Sequence, residues 1–158
     1  MQSKKIQLLA GCIIVCFAAA FIGSVFTVSN IPTWYASIKK PELTPPNWIF
    51  GPVWTALYLM MGIALYLVLE KGWNEKAKLP VAVFAIQLAL NTIWSILFFG
   101  YHLLFFAFIE IILLWLAILA NILLFKKVSR KAALLLVPYI LWVSLASYLT
   151  YSVWMLNA

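Results

Sequence analysis

Eight tryptophans fall in this chain of 158 residues, and four of them, Trp54, Trp94, Trp115 and Trp142, lie inside apolar runs long enough to cross a bilayer. A buried indole offers a flat apolar surface, and its N–H seeks an acceptor, so an interior tryptophan suits a flat apolar ligand. Trp34, Trp48, Trp73 and Trp154 stand near the ends of those runs, where an interfacial aromatic belt accounts for them. The run 81–99 places Gln87, Asn91, Trp94, Ser95 and Phe98 on one helical face. A face with two amides is poorly matched to lipid. It either glues helices by hydrogen bonding or lines a ligand site, and the adjacent rings pair orienting hydrogen bonds with a stacking platform. Trp54, Tyr58 and Met61 repeat the arrangement in the run 50–69, and Tyr139, Trp142, Ala146 and Leu149 do so in 132–156. Three such faces more simply enclose a common pocket than serve as three separate decorations, with a Trp-rich core as the alternative. Ala146, one turn beyond Trp142, leaves room for something flat.

Conventional catalysis finds no constellation. The sequence has no Asp, its four Glu are scattered, and its one histidine, His102, stands alone in a turn. No acid–base pair, nucleophile triad or metal-ligand set can be assembled. Cys12 and Cys16, one helical turn apart, read as small packing residues. Any reaction must take its chemistry from the ligand. Glu110 is the only carboxylate within an apolar run, and an intramembrane acid is a functional candidate by default. It shares a face with Leu114, Ala117 and Asn121, so two readings stand: a proton-transfer site, or a hydrogen-bonded structural contact between helices or protomers.

The elements that must position these residues follow from composition. Hydrophobic residues make up 66% of the chain and charged residues 9%, against about a quarter charged in a soluble domain. Apolar runs at 6–28, 50–69, 81–99, 103–125 and 132–156 each approach the roughly 20 residues a spanning helix requires. The expectation is an all-α integral membrane protein, one domain over 1–158, built as a bundle of five transmembrane helices. The first run is too long for a signal peptide and has four similar successors. The connection 29–48 holds Pro32, Pro41, Pro45 and Pro46 together with Trp34, Tyr35 and Ile38, which predicts a stiff apolar lid over one mouth of the bundle. Gly100-Tyr101-His102 predicts a tight turn between antiparallel neighbours. Pro52 is expected in the first turn of its helix, and Pro138 should bend the fifth span.

Charge sets orientation. Alternating spans put Lys4, Lys5, Lys71, Lys76, Lys78, Lys126, Lys127, Arg130 and Lys131 on one side, and only Lys39 and Lys40 on the other. The positive-inside rule then gives a cytoplasmic N-terminus and an external C-terminus. The net charge of +7 therefore needs no nucleic acid as partner.

The stretch Pro45-Pro46-Asn47-Trp48-Ile49-Phe50-Gly51-Pro52-Val53-Trp54-Thr55, followed by Leu57-Tyr58 and Met61-Gly62, closely resembles the signature of the TspO/MBR family, the tryptophan-rich sensory and mitochondrial translocator (peripheral benzodiazepine receptor) proteins. The resemblance continues through Gln87, Leu90-Asn91, Trp94-Ser95, Phe98-Phe99-Gly100, Glu110, Pro138-Tyr139, Trp142, Ala146, Leu149 and Trp154, and so covers essentially the whole chain. It implies a five-helix bundle, commonly a homodimer, whose first loop closes over a pocket for porphyrins such as protoporphyrin IX and haem-type tetrapyrroles. Isoquinoline or benzodiazepine drugs are further ligands it implies. The pocket positions carried over are Trp48, Trp54, Asn91, Trp94, Trp142 and Ala146, beside which Tyr58, Gln87 and Phe98 come from the helical faces. Light- and oxygen-dependent porphyrin degradation, with Trp54, Trp94 and Trp142 as photochemical candidates, is a second implied activity, with no obligatory cofactor or metal. Proton-coupled transport through Glu110 is the third reading. The short hydrophilic N-terminus fits a bacterial plasma membrane. Thr150 stands where the family often has Asn, and no Lys or Arg follows Tyr148 or Tyr151, so sterol recognition is not expected.

Overall fold

Apolar runs that must satisfy every backbone N–H and C=O without water become helices. The computed structural model, which describes residues 2–158, has five helical segments apolar and long enough to span: Ser3–Asn30, Asn47–Leu69, Lys76–Gly100, Leu104–Val128 and Arg130–Asn157. In element order these are α1 (Gln2–Asn30), a short α2 (Trp34–Ser37), α3 (Asn47–Leu69), α4 (Glu75–Ser95), α5 (Leu104–Val128), α6 (Arg130–Leu135) and α7 (Val137–Asn157), with no strand among the described residues.

All the spanning helices but α5 start before their apolar runs do, because polar flanks can continue a helix, and in two cases a side chain caps the start. The side chain of Asn74 accepts from Lys76 N at 3.0 Å to open α4, and Ser129 opens α6 by accepting from Ala132 N. The earlier start of α3 moves Pro52 out of the first turn and into the second. Pro138 does more than bend the fifth span. The helix breaks at Leu136, and Pro138 sits at the beginning of a new helix, where its missing N–H costs nothing.

The third span ends in a π-helical turn, Ile96–Gly100, closed by Tyr101 N donating to Ile96 O at 2.9 Å. Nothing in the apolar periodicity announces it. Such single turns widen the helix by one residue and re-aim the side chains that follow. After it, His102 takes a left-handed φ of 56° to complete the turn into α5.

Around the bundle, α3 packs on α1, α1 on α4, α4 on α5 and α5 on α7, while α6 closes the ring against α3 at the basic end. That half of the bundle is filled: Met61, Val68, Phe84, Leu114, Ile118 and Phe125 are buried there, with Phe84 and Phe125 stacked 5.8 Å apart. Polar contacts join neighbouring helices where lipid supplies no hydrophobic drive. Asn121 Nδ2 donates to Pro80 O at 3.0 Å, and Trp115 Nε1 donates to Ser144 Oγ at 2.8 Å. The other half, towards the α1–α3 connection, is not filled.

A lidded aromatic cavity as candidate functional site

In that half the bundle encloses a cavity of about 560 Å³, lined by residues of α1, α2, α3, α7 and the third span. Trp54 and Tyr58 reach it from α3, Asn91 and Trp94 from α4, and Trp142 and Ala146 from α7. Its floor is a buried polar relay: the Tyr58 hydroxyl donates to Asn91 Oδ1, and Asn91 Nδ2 donates to the Tyr139 hydroxyl at 2.7 Å. Tyr139 is fully buried, so Asn91 satisfies two phenols that would otherwise be costly in this interior. Trp54 packs against both phenol rings, at 5.7 Å from Tyr58 and 6.3 Å from Tyr139. The indole nitrogens of Trp94 and Trp142 are buried with no hydrogen-bond partner. The lining is thus apolar and aromatic with one oriented amide, a pattern suited to a flat apolar molecule.

Three expected pocket residues, Trp48, Gln87 and Phe98, lie outside the cavity, and so does Glu110. Trp48 is 73% exposed and lies outside the cavity; it precedes Phe50 by two residues and so points to the opposite face of α3 from Phe50 and Trp54. Gln87 is buried one turn below Asn91, its Nε2 against Met61 Sδ at 3.8 Å. Phe98 stacks on Trp94 at 5.1 Å without lining the cavity, whereas Phe99, in the same cluster under the lid, does line it. The π turn accounts for this, because its wider turn brings the fifth residue on, Phe99, against Trp94 as well, edge-on at 5.8 Å. Glu110 is 6% exposed, neither of its oxygens has a partner, and it does not line the cavity.

The lid is folded and anchored. Tyr35 is buried among Phe50, Phe98 and Phe99, and Trp34 stacks on His102 with ring centroids 4.0 Å apart. Lys40 Nζ donates to the carbonyls of Tyr35 (2.6 Å) and Ile38 (3.0 Å), capping α2. Burial in this cluster raises the Tyr35 phenol above its ordinary pKa. Asn157, at the far end of α7, accepts from Lys39 N at 3.1 Å and donates to Lys39 O at 2.9 Å. Lys39, Lys40 and Asn157 were not visible as a latch in the sequence, where the two lysines served only to set orientation. Because these contacts tie the lid to the bundle, its amides should be protected from exchange. Asn157→Ala should speed amide hydrogen exchange across 35–40 while leaving exchange in α5 unchanged; uniform exchange across both variants would contradict the latch.

His102 is committed to Trp34 and to a contact of its Nε2 with Asn30 Oδ1 at 3.4 Å, outside the cavity. Among the described residues no cluster of His, Cys, Asp or Glu could hold a metal ion.

The family model described as TspO/MBR family matches residues 12–155. The tryptophan-rich protein TspO of Chlorobaculum tepidum is 46% identical over 157 residues, covering 99% of each chain. The protein of the same name from Archaeoglobus fulgidus is 44% identical over 95% of this chain and 97% of its own. The human translocator protein is 40% identical over 85% of this chain and 80% of its own.

Proposed function

This chain belongs to the TspO/MBR family of integral membrane proteins, and on that premise we propose that it is a membrane receptor for porphyrins, protoporphyrin IX and haem-type tetrapyrroles, held in the aromatic cavity beneath the lid. One observation carries the reading: Trp54, Trp94, Trp142, Asn91 and Ala146, separated by up to 92 residues of sequence, line a single cavity of about 560 Å³. That volume lies within the roughly 300–1,000 Å³ usual for sites that bury a small molecule. In this account the ring stacks on the indoles, Asn91 orients it, and Ala146 sets the clearance above Trp142. Isoquinoline and benzodiazepine drugs share the flat aromatic shape and belong to the same proposal; sterol does not. The bundle works as a homodimer in a bacterial plasma membrane, N-terminus cytoplasmic and C-terminus outside, an orientation supported by nine basic residues at one end of the bundle against Lys39 and Lys40 at the other.

Binding by stacking and apolar burial requires no axial metal bond, since His102 is engaged with Trp34. Metal-free protoporphyrin should therefore bind about as tightly as haem, and His102→Ala should leave the haem absorption spectrum of the complex unchanged. A loss of haem binding in a folded His102→Ala protein would overturn this mode.

A second reading, light- and oxygen-dependent degradation of the bound porphyrin, is favoured by the three indoles that share the cavity. An excited porphyrin withdraws an electron readily, and indole is the most easily oxidised ring beside it. Under illumination in oxygen, Phe at Trp54, Trp94 or Trp142 should preserve binding and lower the yield of a defined product. The same product mixture from pigment in empty micelles at equal absorbed dose would reduce the protein to a binder. Proton-coupled transport is the weaker alternative, because Glu110 would have to reach a cavity it does not line.

A further inference from the structure

The walls of the cavity are unequally closed. Above it, the lid is packed and latched by Asn157 to Lys39. Below it lie the Tyr58–Asn91–Tyr139 relay and the tight crossing of α1 and α3, where a Cβ on Gly62 would stand 2.8 Å from Ile13 Cα. Towards the third span, α1 is held close: a Cβ on Gly23 would meet Ser95 Oγ at 3.3 Å. Towards α7, the ring of Phe50 meets Trp142 edge-on at 5.9 Å.

One side differs. The lining residues that are exposed, Phe21, Val28, Gly51 and Thr55, all belong to α1 and α3. Phe21 is 71% and Val28 67% exposed, and nothing lies within 4 Å of a Cβ built on Gly51. Between their lid halves the two helices therefore leave a window into the cavity. Both helices span the bilayer, so the window opens on hydrocarbon rather than on water. Its polar side chains are also turned to that solvent: Ser24 Oγ donates to Phe21 O at 2.8 Å, Thr27 Oγ1 to Gly23 O at 3.1 Å and Thr55 Oγ1 to Gly51 O at 2.9 Å. Each hydroxyl is satisfied by its own helix, which leaves no unpaired donor to penalise an apolar molecule passing through.

We infer that the cavity is loaded sideways, from the hydrocarbon core of the bilayer through the window between α1 and α3, while the lid stays shut. The inference rests on the cavity being a ligand site, as proposed above, and adds the route and the class of molecule that can use it. Ligands are drawn from what partitions into the membrane, and water-soluble molecules of the same size are excluded by the lid. The lid contributes a ceiling; selection happens at the window.

The test uses the full chain in phosphatidylcholine nanodiscs mixed with vesicles preloaded with protoporphyrin IX, with association and dissociation followed by quenching of tryptophan fluorescence. In the first arm, Lys39→Cys and Asn157→Cys are combined, and the same preparation is compared oxidised, with loss of the two introduced thiols verified beside the native Cys12 and Cys16, and reduced. Lateral loading predicts equal association rates in the two states. In the second arm, Gly51→Leu places a side chain in the window at a helical position with no neighbour to clash with. It should slow association and dissociation together, by about tenfold, the rate equivalent of a modest overpacking cost. A rate that falls on oxidation of the latch would overturn the route, as would wild-type association in Gly51→Leu or a faster dissociation there. Wild-type protein that shows no saturable quenching would overturn the ligand-binding reading itself, a result distinct from either change in rate.

Discussion

Gly62→Ala is expected to destabilise the bundle by about 1–3 kcal/mol, the usual cost of forcing extra volume into a packed contact. The added Cβ would stand 2.8 Å from Ile13 Cα and 3.2 Å from Ile13 N, backbone atoms that no rotamer change can move aside. The crossing of α1 and α3 must open instead. Close approach through a small residue is a main source of helix association in lipid, so the loss is not regained elsewhere. Position alone decides the sign. At Gly11 and Gly51 nothing lies within 4 Å of a new Cβ, and there alanine should show only its helix-propensity advantage, about 0.8–1.0 kcal/mol over glycine. Thermal unfolding in one detergent should therefore rank Gly51→Ala and Gly11→Ala at or above wild type and Gly62→Ala well below it. Equal midpoints for all three would remove the tight crossing from the account.

Asn91→Leu should be the most costly change in the cavity floor. It keeps an apolar side chain of similar size but strands the hydroxyls of Tyr58 and Tyr139, each at about 1–3 kcal/mol for an unsatisfied buried group. The signature lies in a sign reversal. In the wild type, Tyr139→Phe removes a hydrogen bond at 2.7 Å and should destabilise. In the Asn91→Leu background it removes a stranded hydroxyl instead, and should stabilise. A thermodynamic cycle over the four proteins isolates this coupling. If Tyr139→Phe destabilises both backgrounds equally, the relay does not exist as described.

How far the sequence led can be judged from single residues. The five spans were legible because a membrane helix announces itself by length and apolarity, and the Trp54–Tyr58 and Asn91–Trp94 faces because helical period alone fixes which residues share a side. The ends of the helices were less legible: Asn74 and Ser129 open helices through side-chain caps, and α3 begins at Asn47 ahead of its apolar run, none of which an apolar window registers. Phe99 lines the cavity where Phe98 was expected, because a π turn breaks the period from which that face was read. Trp48 stood within the strongest motif of the chain, yet its rotation about α3 carries it to the exposed side. The Asn157 latch joins residues 118 positions apart and depends on the closure of the whole bundle, so no local pattern could contain it. The window between α1 and α3 was equally hidden, since exposure of Phe21 and Val28 looks ordinary on any lipid-facing helix until the cavity behind them is seen.

The central claim is that the aromatic cavity, and not the lipid-facing surface, holds a porphyrin. Its most direct measurement is an equilibrium titration of the purified full chain with protoporphyrin IX in the dark, with Ala146→Leu carried through the same experiment and both proteins matched for thermal midpoint. Ala146 lines the cavity beside Trp142 and is not fully buried, so a leucine there takes up ligand space while leaving the core intact. The account predicts saturable quenching at one porphyrin per chain in the wild type, and an affinity weakened by about 1–3 kcal/mol in Ala146→Leu, roughly 5- to 150-fold. Quenching that rises without saturation, or identical affinity in a folded Ala146→Leu protein, would place the porphyrin outside the cavity and contradict the account.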